Sequence, residues 1–526
     1  MIRSRFIIGL LLALLLTFVV RGTLARTARN LDLLVDVRYE ILEQFVDDIN
    51  EDDLAEAAVR GMIASLNDQH TAFLLPKDLE DMDEQVRGQF TGIGAEITID
   101  DQADRLKIVT PLEDSPAWRN GVMAGDAILA IDGVSTRDIF KDMTTSSEKL
   151  GAAVNRLTGE EHTQVEIHVR HETGEEETIT ITREVINVRS VRGFRRNDSN
   201  QWQYMLDPIQ KIGYIKIRQF SERTAGEMRE ALATLQTQEP RGLILDLRFN
   251  PGGVLPAPVA VSDMFLPVGQ MIVSVKRRTG LAREYKSQTE PIFPSVPIVV
   301  LANEFSASAA EIVTGALTDN GRALFVGMRT YGKGSVQQVR LLEEEKSALR
   351  ITIAYYYLPS GRLIHRRRKA ETWGVDPEDG FFVPMTPQQI RQMQQVRLDN
   401  TILRRHENET ISPQWIEDNL ADLQLAAGLE AIVGKLATNN WPQVGQSGAD
   451  QILRNTRRQT LIRHRDLLME RLEQTETELA ELDDPEGDEE IVPELVDEAS
   501  PISGQSLESR ESTETPNPPT LISPTP

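Results

Sequence analysis

The chain has 526 residues, of which 40% are hydrophobic and 26% are charged. This length suits about two to four domains of about 100–200 residues each. Its 57 basic and 81 acidic side chains give a net charge of -24, which argues against a protein that binds nucleic acid by neutralising phosphates. The sequence has no cysteine, which excludes disulfides, thiolate zinc sites and a cysteine nucleophile.

A hydrophobic segment lies near the amino terminus. Residues 6–20 are apolar except for Gly9 and Thr17, and two arginines precede them. The segment is intermediate in length between a signal-peptide core of about 7–15 residues and a membrane-spanning helix of about 20. Residues 1–26 are therefore predicted to be either a cleaved signal peptide or a retained membrane anchor. Both alternatives predict export, to the periplasm or the cell envelope.

The carboxy-terminal end is strongly acidic. Residues 474–526 contain 15 acidic side chains, a single base (Arg510) and no aromatic residue. Such a composition buries too little apolar surface to order a segment. A disordered acidic tail is predicted over 483–526.

One helical region is predicted near the amino terminus and another near the carboxy terminus. Apolar residues recur at helical spacing from 31 to 66, with a break near 50–52, and the helical amino-terminal region is placed at 27–85. A second helical region is placed at 386–482. Leucines in its last helix have the spacing of a partner helix, so a homodimer and packing onto the chain's own body both stay open.

Short alternating strands begin near residue 86. A glycine loop at 92–97 enters a strand, 115–117 begins a short helix, and 126–133 is a strand that ends in a tight Asp-Gly turn. This series resembles a PDZ domain, and the resemblance covers residues 86–173.

A PDZ domain binds the carboxy terminus of an extended peptide as an added strand. The resemblance places the peptide-binding loop at Gly92, Ile93, Gly94 and Ala95. Backbone N–H groups of this loop would hold the terminal carboxylate. A small apolar pocket beside the loop would favour a hydrophobic last residue.

From residue 188 onward strands and helices alternate. Several strands are nearly unbroken apolar runs, such as 242–247, which is typical of a sheet covered on both faces. A large α/β domain is predicted over 188–385.

Three loops of this domain carry residues suited to chemistry. Residues 303–311 read NEFSASAAE, 330–338 read TYGKGSVQQ and 246–253 read DLRFNPGG. A serine at a strand-to-helix junction lies near backbone donors and the positive end of the helix dipole. Glycines on both sides of Lys333 indicate a lysine held against packed backbone.

Together the three loops predict a Ser–Lys nucleophile–base pair with an oxyanion hole. The lysine must be neutral, so its pKa must fall from about 10.4 by about 3 units through burial. The alternatives are Ser306 or Ser308 as an ordinary helix cap, Lys333 as a surface cation and Gly252 with Gly253 as a plain turn. The sequence has no zinc, dinucleotide, phosphate-loop or Gly-x-Ser-x-Gly motif, so neither a metal nor a cofactor is predicted.

The motifs are similar to those of the C-terminal processing (tail-specific) peptidases. The resemblance covers residues 30–385 and rests on five stretches: 246–253, 306–311, 330–337, 356–362 and 374–377. It departs from the family pattern at Ala310, where the family has a second serine, and at the turn 67–70.

The resemblance implies a role for individual residues. Ser308 is the nucleophile, Lys333 the general base and Gln337 the residue that orients the lysine. The oxyanion hole is implied at Ala309 with Gly252 or Gly253, and Asp319 is implied as a supporting acid.

These inferences predict a multidomain α/β protein with a PDZ domain inserted before a mixed-sheet protease core. The predicted function is an exported serine endopeptidase that recognises the carboxy termini of protein or peptide substrates and hydrolyses peptide bonds with a Ser–Lys dyad. A membrane tether stays open, and no nucleic-acid partner is expected. The alternative is a non-catalytic PDZ scaffold of the cell envelope. A likeness of the core to acyl-CoA hydratase-like folds carries no function by itself.

Overall fold

The computed structural model describes residues 31–448, apart from 101–104, 113–114, 172, 198–200, 343–346, 368–369, 371 and 404–410, together with eight helical residues between 458 and 475. The predicted signal or anchor over 1–26 and the predicted tail over 483–526 lie outside the described residues. Of the helices that are described, none combines the length and the apolar character needed to cross a membrane.

The described chain contains twelve named helices and twenty-one strands. The helices are α1 (31–44), α2 (Glu51–Ala64), α3 (Pro76–Arg87), α4 (Pro116–Arg119), α5 (Thr136–Ile139), α6 (Ser146–Leu157), α7 (Thr224–Gln236), α8 (Pro256–Asp263), α9 (Ala309–Asp319), α10 (Pro387–Leu403), α11 (Pro413–Leu420) and α12 (Leu423–Thr438). The strands are β1 (Ala72–Leu74), β2 (Gln89–Gly92), β3 (Ala95–Asp100), β4 (Arg105–Pro111), β5 (Ala127–Ile131), β6 (Val134–Ser135), β7 (Gln164–Arg170), β8 (Glu176–Thr182), β9 (Glu184–Asn187), β10 (Val191–Arg192), β11 (Arg195–Arg196), β12 (Trp202–Gln203), β13 (Met205–Asp207), β14 (Ile212–Ile217), β15 (Gly242–Asp246), β16 (Met271–Arg277), β17 (Gly280–Lys286), β18 (Ile298–Ala302), β19 (Ala323–Gly327), β20 (Ser335–Leu342) and β21 (Ser347–Tyr357).

The chain divides into two compact units. The described residues of Met1–Met82 and Ser335–Ala354 form the first, and those of Asp83–Gly334 and Tyr355–Pro526 form the second. In the first unit, β1 pairs antiparallel with β21, with Phe73 opposite Leu349. The predicted helix break near 50–52 is confirmed, because the Asn50 side chain caps α2 by accepting from the Asp52 N–H at 2.9 Å.

An antiparallel sheet lies in the first part of the second unit. Its strand order is β3-β4-β5-β7-β8, and β6 pairs with β5. A Thr145–Glu148 capping box begins α6, which packs on β3. Outside this sheet, β2 and β9 pair with each other as a two-stranded ribbon, and they flank the sheet in sequence.

A second sheet has the order β10-β14-β15-β18-β19 and is parallel from β14 to β19. All residues of β15 and β18 are buried, so the predicted sheet with two covered faces is confirmed. Lys216 is in register with Asp246 and Asp246 with Leu301. The carboxyl ends of three neighbouring strands therefore lie side by side, and the loops that follow them meet at one edge.

The carboxy-terminal region is helical, as predicted, from α10 to α12. The last described residues, between 458 and 475, are also helical. Among them Leu468 and Leu472 are exposed.

Candidate active site

The loops after β15 and β18 form one hydrogen-bonded structure. The Ser306 hydroxyl donates to the Leu247 carbonyl at 2.9 Å, and the Ala307 N–H donates to the Asn250 carbonyl at 2.9 Å. The Phe249 N–H donates to Asn303 Oδ1 at 3.1 Å. Two of the three predicted loops are therefore held in a fixed relation.

Ser308 occupies the junction between the β18 loop and α9. Its φ of 54° and ψ of -108° lie in a region that residues other than glycine rarely adopt, and such strain occurs mainly at functional sites. The residue is 8% exposed. Ser306, by contrast, is fully buried, and its hydroxyl also accepts from the Asn303 N–H at 2.9 Å. Of the two serines, Ser306 thus has a structural role in joining the loops.

Glu311, in the first turn of α9, connects the serine to the lysine loop. Its Oε2 accepts from the Ser308 N–H and from the Lys333 N–H, both at 2.8 Å. Its Oε1 accepts from the Thr330 hydroxyl at 2.6 Å and from the Gly332 N–H at 2.7 Å. The amide nitrogens of Ser308 and Lys333 therefore lie within two hydrogen-bond lengths of each other.

The electrostatics of Glu311 reflect two opposing effects. Burial raises its pKa to about 7, while the hydrogen bonds from Thr330, Ser308, Gly332 and Lys333 act to lower it. Because the carboxyl is fully buried, it is a carboxylate with four donors only above about neutral pH. Sequence reasoning assigned no role to Glu311. The Ser-x-x-Glu spacing of a capping box signals its bond to Ser308, but nothing local signals its bonds to the lysine loop.

The glycines beside Lys333 are required by close packing. A Cβ on Gly332, whose φ is +95°, would lie 2.5 Å from Trp373 Cδ1, and a Cβ on Gly334 would lie 2.4 Å from the His365 nitrogen. Lys333 itself is half-buried. The glycines on both sides of this lysine are therefore closely packed, and burial of its amine stays a prediction.

Gly252 and Gly253 lie against the serine and against the neighbouring strand, respectively. A Cβ on Gly252 would be 2.7 Å from Ser308 Cβ and 3.1 Å from the Ala309 nitrogen, and its φ is +103°. A Cβ on Gly253 would be 1.8 Å from the Phe220 carbonyl oxygen. The Gly252 N–H donates to Asn250 Oδ1 at 2.8 Å. The structure thus brings Ser308, Ala309 and the Gly252–Gly253 turn together.

Comparison with known proteins identifies the family. Peptidase family S41 matches residues 211–378, a range that contains all three loops. The carboxy-terminal-processing protease of Bartonella bacilliformis is 34% identical over 343 residues, which cover 64% of this chain and 73% of that protein. The protease of the same type from Picosynechococcus sp. is 32% identical over 409 residues, which cover 74% of this chain and 92% of that protein. The chain belongs to the carboxy-terminal-processing proteases.

This family of serine proteases acts on protein substrates, and so does this protease. Among solved structures, a photosystem II D1 C-terminal processing protease is 28% identical to this chain. The match covers 67% of this chain and 92% of that protein's chain, with a TM-score of 0.38.

Two further sequence-predicted residues of the protease have other hydrogen-bond partners. Asp319 is the last residue of α9, about 15 Å along the helix from its start, and its Oδ2 accepts from the Ser360 N–H at 2.9 Å. Gln337 belongs to the first compact unit, where its Nε2 donates to Ser335 Oγ at 2.8 Å. Its role toward the lysine stays a prediction.

A buried charge network supports the loop that carries Gly252. Arg248 donates to both carboxylate oxygens of Asp246, at 3.0 and 2.7 Å, and to both of Asp422, at 2.6 and 3.0 Å. Arg397 of α10 also donates to Asp422 at 2.6 Å. Although burial raises the pKa of Asp422, the guanidinium groups of Arg248 and Arg397 lower it to about 2. Sequence reasoning noted the Asp-Leu-Arg motif but not this network, because Asp422 lies far along the chain.

Lys216, beside this charge network, has a lowered pKa. Burial lowers the pKa of Lys216 to about 7, and its Nζ lies 3.6 Å from Asp246 Oδ2. If a lysine-directed reagent labels the protease, peptide mapping must therefore show whether the labelled residue is Lys216 or Lys333. Within the described part of the protease, no group of three or more His, Asp or Glu side chains is arranged to hold a metal ion.

Proposed function

We propose that the protease is a Ser–Lys endopeptidase in which Ser308 is the nucleophile and Lys333 the general base. The observation that supports this most directly is the shared acceptor: one oxygen of Glu311 binds the backbone N–H groups of both residues. The strained backbone of Ser308 adds support, because strain of this kind accompanies nucleophiles at strand-to-helix turns.

In the proposed reaction the neutral Lys333 amine takes the proton of the Ser308 hydroxyl as Oγ attacks the substrate carbonyl. The resulting oxyanion is stabilised by backbone N–H groups. We assign these to Ala309 and Gly253, since the Gly252 N–H is engaged by Asn250. The protonated lysine then gives its proton to the leaving amine. The Lys333 amine, neutral again, then deprotonates a water molecule that attacks the acyl-enzyme. Lys333 returns this proton to Ser308 Oγ as the ester bond breaks.

The test uses two pairs of variants. Ser308→Ala and Lys333→Ala should each lower kcat for an unfolded protein substrate by at least about 10³-fold, as loss of one member of a nucleophile–base pair does. The matched controls are Ser360→Ala and Lys286→Ala, which replace exposed residues and should keep wild-type rates. A fluorophosphonate should label Ser308, as peptide mapping by mass spectrometry would show. Wild-type proteolysis by Ser308→Ala would refute the assignment.

We also propose that residues 86–173 form a PDZ domain that captures substrate carboxy termini. The Ile93 and Gly94 carbonyls accept from the Ala117 and Leu112 N–H groups, at 2.8 and 2.9 Å. These bonds hold the loop in place. A largely apolar groove runs beside the loop between β3 and α6, and it suits a hydrophobic last residue. The residues that line the groove are Phe90, Ile93, Gly94, Ala95, Ile97, Val154, Leu157 and Thr158.

Binding can be measured without cleavage on the Ser308→Ala background. A fluorescent peptide that ends in a hydrophobic residue should bind as the free acid and at least tenfold more weakly as the carboxamide. Val154→Asp, which places a negative charge in the groove, should weaken binding of the free acid. Asn155→Asp introduces the same charge on the exposed neighbouring residue and should not. Equal binding of acid and amide would refute carboxylate capture.

We propose export on the strength of the apolar segment at 6–20. Fractionation of cells and amino-terminal sequencing of the mature protease test it. A cytosolic protein that retains residue 1 would refute export, and the mature sequence separates a cleaved signal from an anchor.

A further inference from the structure

A strongly basic segment follows the last strand, β21. Residues 365–369 read HRRRK in a chain whose net charge is -24. Arg366 and Arg367, the two arginines of this run that the structure describes, are both exposed. An acidic protein repels acidic polypeptides in general, and a local basic surface attracts them instead. This arginine pair is therefore a place where an acidic segment of another polypeptide can bind.

The basic segment is bound directly to the loop that carries Lys333. The Arg366 N–H donates to the Gly332 carbonyl at 2.8 Å. A Cβ on Gly332 would lie 2.9 Å from Arg366 Cβ, and a Cβ on Gly334 would lie 2.4 Å from the His365 nitrogen. Both glycines that flank the lysine therefore pack against the basic segment.

Aromatic rings support the guanidinium groups of the arginine pair. The guanidinium carbon of Arg366 lies 4.5 Å from the centre of the Trp373 ring, and that of Arg367 lies 5.5 Å from the centre of the Tyr355 ring. Contacts of this kind restrict the orientation of a guanidinium group, whose N–H donors form a planar fork that matches a carboxylate. A group restricted in this way loses less side-chain freedom when it binds an acidic side chain.

The same cluster contains two further arginines, and these share one acid. Asp376 forms ion pairs with Arg329 and with Arg362. The Arg329 guanidinium carbon also lies 4.6 Å from the centre of the Trp373 ring. Residues 362–369 contain five lysine or arginine side chains and no acid, so the segment carries an excess of positive charge beside the lysine loop.

The proposed reaction decides which part of a substrate passes this segment. The protonated Lys333 donates to the leaving amine, so that amine lies beside the lysine. The residues that follow the scissile bond are attached to the amine, and they therefore lead away from Ser308 on the side of the lysine loop. An extended peptide advances about 3.3 Å per residue. Arg366, which is hydrogen-bonded to the residue before Lys333, is thus close enough to contact the first few residues after the scissile bond.

We propose that Arg366 and Arg367 determine substrate specificity by binding acidic side chains within about four residues after the scissile bond. The inference rests on the proposed roles of Ser308 and Lys333. The substrate class is a polypeptide with Asp or Glu on the carboxy-terminal side of the cleaved bond. Because these contacts are the same in the bound substrate and in the transition state, they lower KM and leave kcat unchanged.

The experiment uses two quenched fluorescent peptides of equal length. They share the scissile bond and the carboxy-terminal residue, and they differ only in Glu or Gln at the second and third positions after that bond. Mass spectrometry of the products checks that both are cleaved at the same bond. The wild-type KM should be about fivefold lower for the Glu peptide at about 0.05 M salt, and less than about twofold lower at about 1 M salt, because salt screens exposed charges.

Variants assign this preference to the arginine pair. Arg366→Gln/Arg367→Gln should raise the KM of the Glu peptide to that of the Gln peptide, with both kcat values unchanged. Arg366→Lys/Arg367→Lys keeps the charges and should retain most of the preference. The matched control Arg277→Gln/Arg278→Gln removes the same charge from exposed positions of another turn and should behave as wild type.

A single variant separates binding from packing of the lysine loop. If the double glutamine variant lowers kcat for both peptides, the loss of Arg366 has disturbed Gly332. Arg367→Gln then decides, because its ring contact is with Tyr355 and not with the ring beside Gly332. It should lower the preference about twofold at unchanged kcat, and an unchanged preference would overturn the proposal.

Other outcomes also overturn it. Equal KM values for the two peptides in wild type, with normal proteolysis, would exclude the acid preference and leave the Ser–Lys assignment intact. A preference that persists in Arg366→Gln/Arg367→Gln would exclude these arginines as its cause. A preference that emerges only after removal of residues 474–526 would assign the arginine pair to the chain's own acidic segment. Failure of the dyad is a distinct result, because Ser308→Ala would then cleave both peptides.

Discussion

Glu311→Gln tests the carboxylate that joins the serine and lysine loops. The amide has the size of the carboxylate but replaces one acceptor oxygen by a donor. Its NH2 group is best placed toward the Thr330 hydroxyl, which can accept a hydrogen bond. The remaining oxygen then serves the Ser308 and Lys333 N–H groups, and the Gly332 N–H loses its acceptor. An unpaired buried donor costs about 1–3 kcal/mol.

A second effect opposes this loss. The pKa of Glu311 rises from 4.5 to about 7 in the folded protease, which corresponds to about 3 kcal/mol of stability lost when the carboxyl is ionised. The neutral amide avoids that loss, so we expect Glu311→Gln to change the free energy of unfolding by only about 2 kcal/mol in either direction at pH 8. The bonds to Ser308 and Lys333 become neutral and weaker, and we expect kcat to fall about 10²-fold, since small misplacements of reacting groups have effects of this size.

The assay is steady-state proteolysis of an unfolded substrate, together with urea unfolding. Glu430→Gln, at an exposed position of α12, is the matched control. A kcat within threefold of wild type would show that the Glu311 carboxylate does not position the dyad. A protein that fails to fold at pH 8 would contradict the compensation between the two energies.

Three further predictions concern pH, the glycine turn and the buried charges. Folding raises the pKa of Glu311, so its protonated carboxyl favours the folded state. This contribution to the free energy of unfolding is full below about pH 4.5 and is lost as the pH rises through about 7. The stability of wild type relative to Glu311→Gln should therefore fall by about 3 kcal/mol between pH 4.5 and 8 in urea unfolding, and a constant difference would contradict this pKa. Gly252→Ala should lower kcat at least about 10²-fold because its Cβ would lie 2.7 Å from Ser308 Cβ. The control Gly121→Ala, at a position with a similar positive φ and open space around it, should keep wild-type activity. Equal rates of the two variants would refute the steric argument. Asp422→Asn should destabilise the protease by about 3–5 kcal/mol because it removes one of the two carboxylates of a buried network and leaves Arg248 and Arg397 with that of Asp246 alone. The exposed control Asp418→Asn should leave the urea midpoint unchanged, and a midpoint shift of equal size in both would show that burial is not the cause.

Much of the fold could be predicted because its signals are local. A strand buried on both faces must be apolar at every position, so β15 and β18 are recognisable without knowledge of their neighbours. The predicted helix that begins at Ala309 is confirmed, with its end two residues beyond the predicted Leu317. The short strand β1 was not anticipated within the region predicted as helical, because three residues carry too little pattern.

The candidate site was predictable in its parts but not in its connections. Serine, lysine and glycine motifs lie within short stretches, and their order along the chain is that of the family. The position of Asn250 Oδ1 on the Gly252 N–H, by contrast, is not encoded in any spacing. Only the folded loop shows that one of the two predicted glycine donors is already engaged.

The sequence by itself determined which segments are buried, which loops follow the strands and which family the motifs resemble, because hydrophobic period and motif order are properties of neighbouring residues. Only the tertiary structure decided that the carboxylate of Glu311 binds the amides of residues 308, 332 and 333, and that Arg248 joins Asp422 across 174 positions. A hydrogen bond forms wherever two groups come within about 3 Å, and for residues far apart along the chain that distance depends on how strands and helices pack against one another.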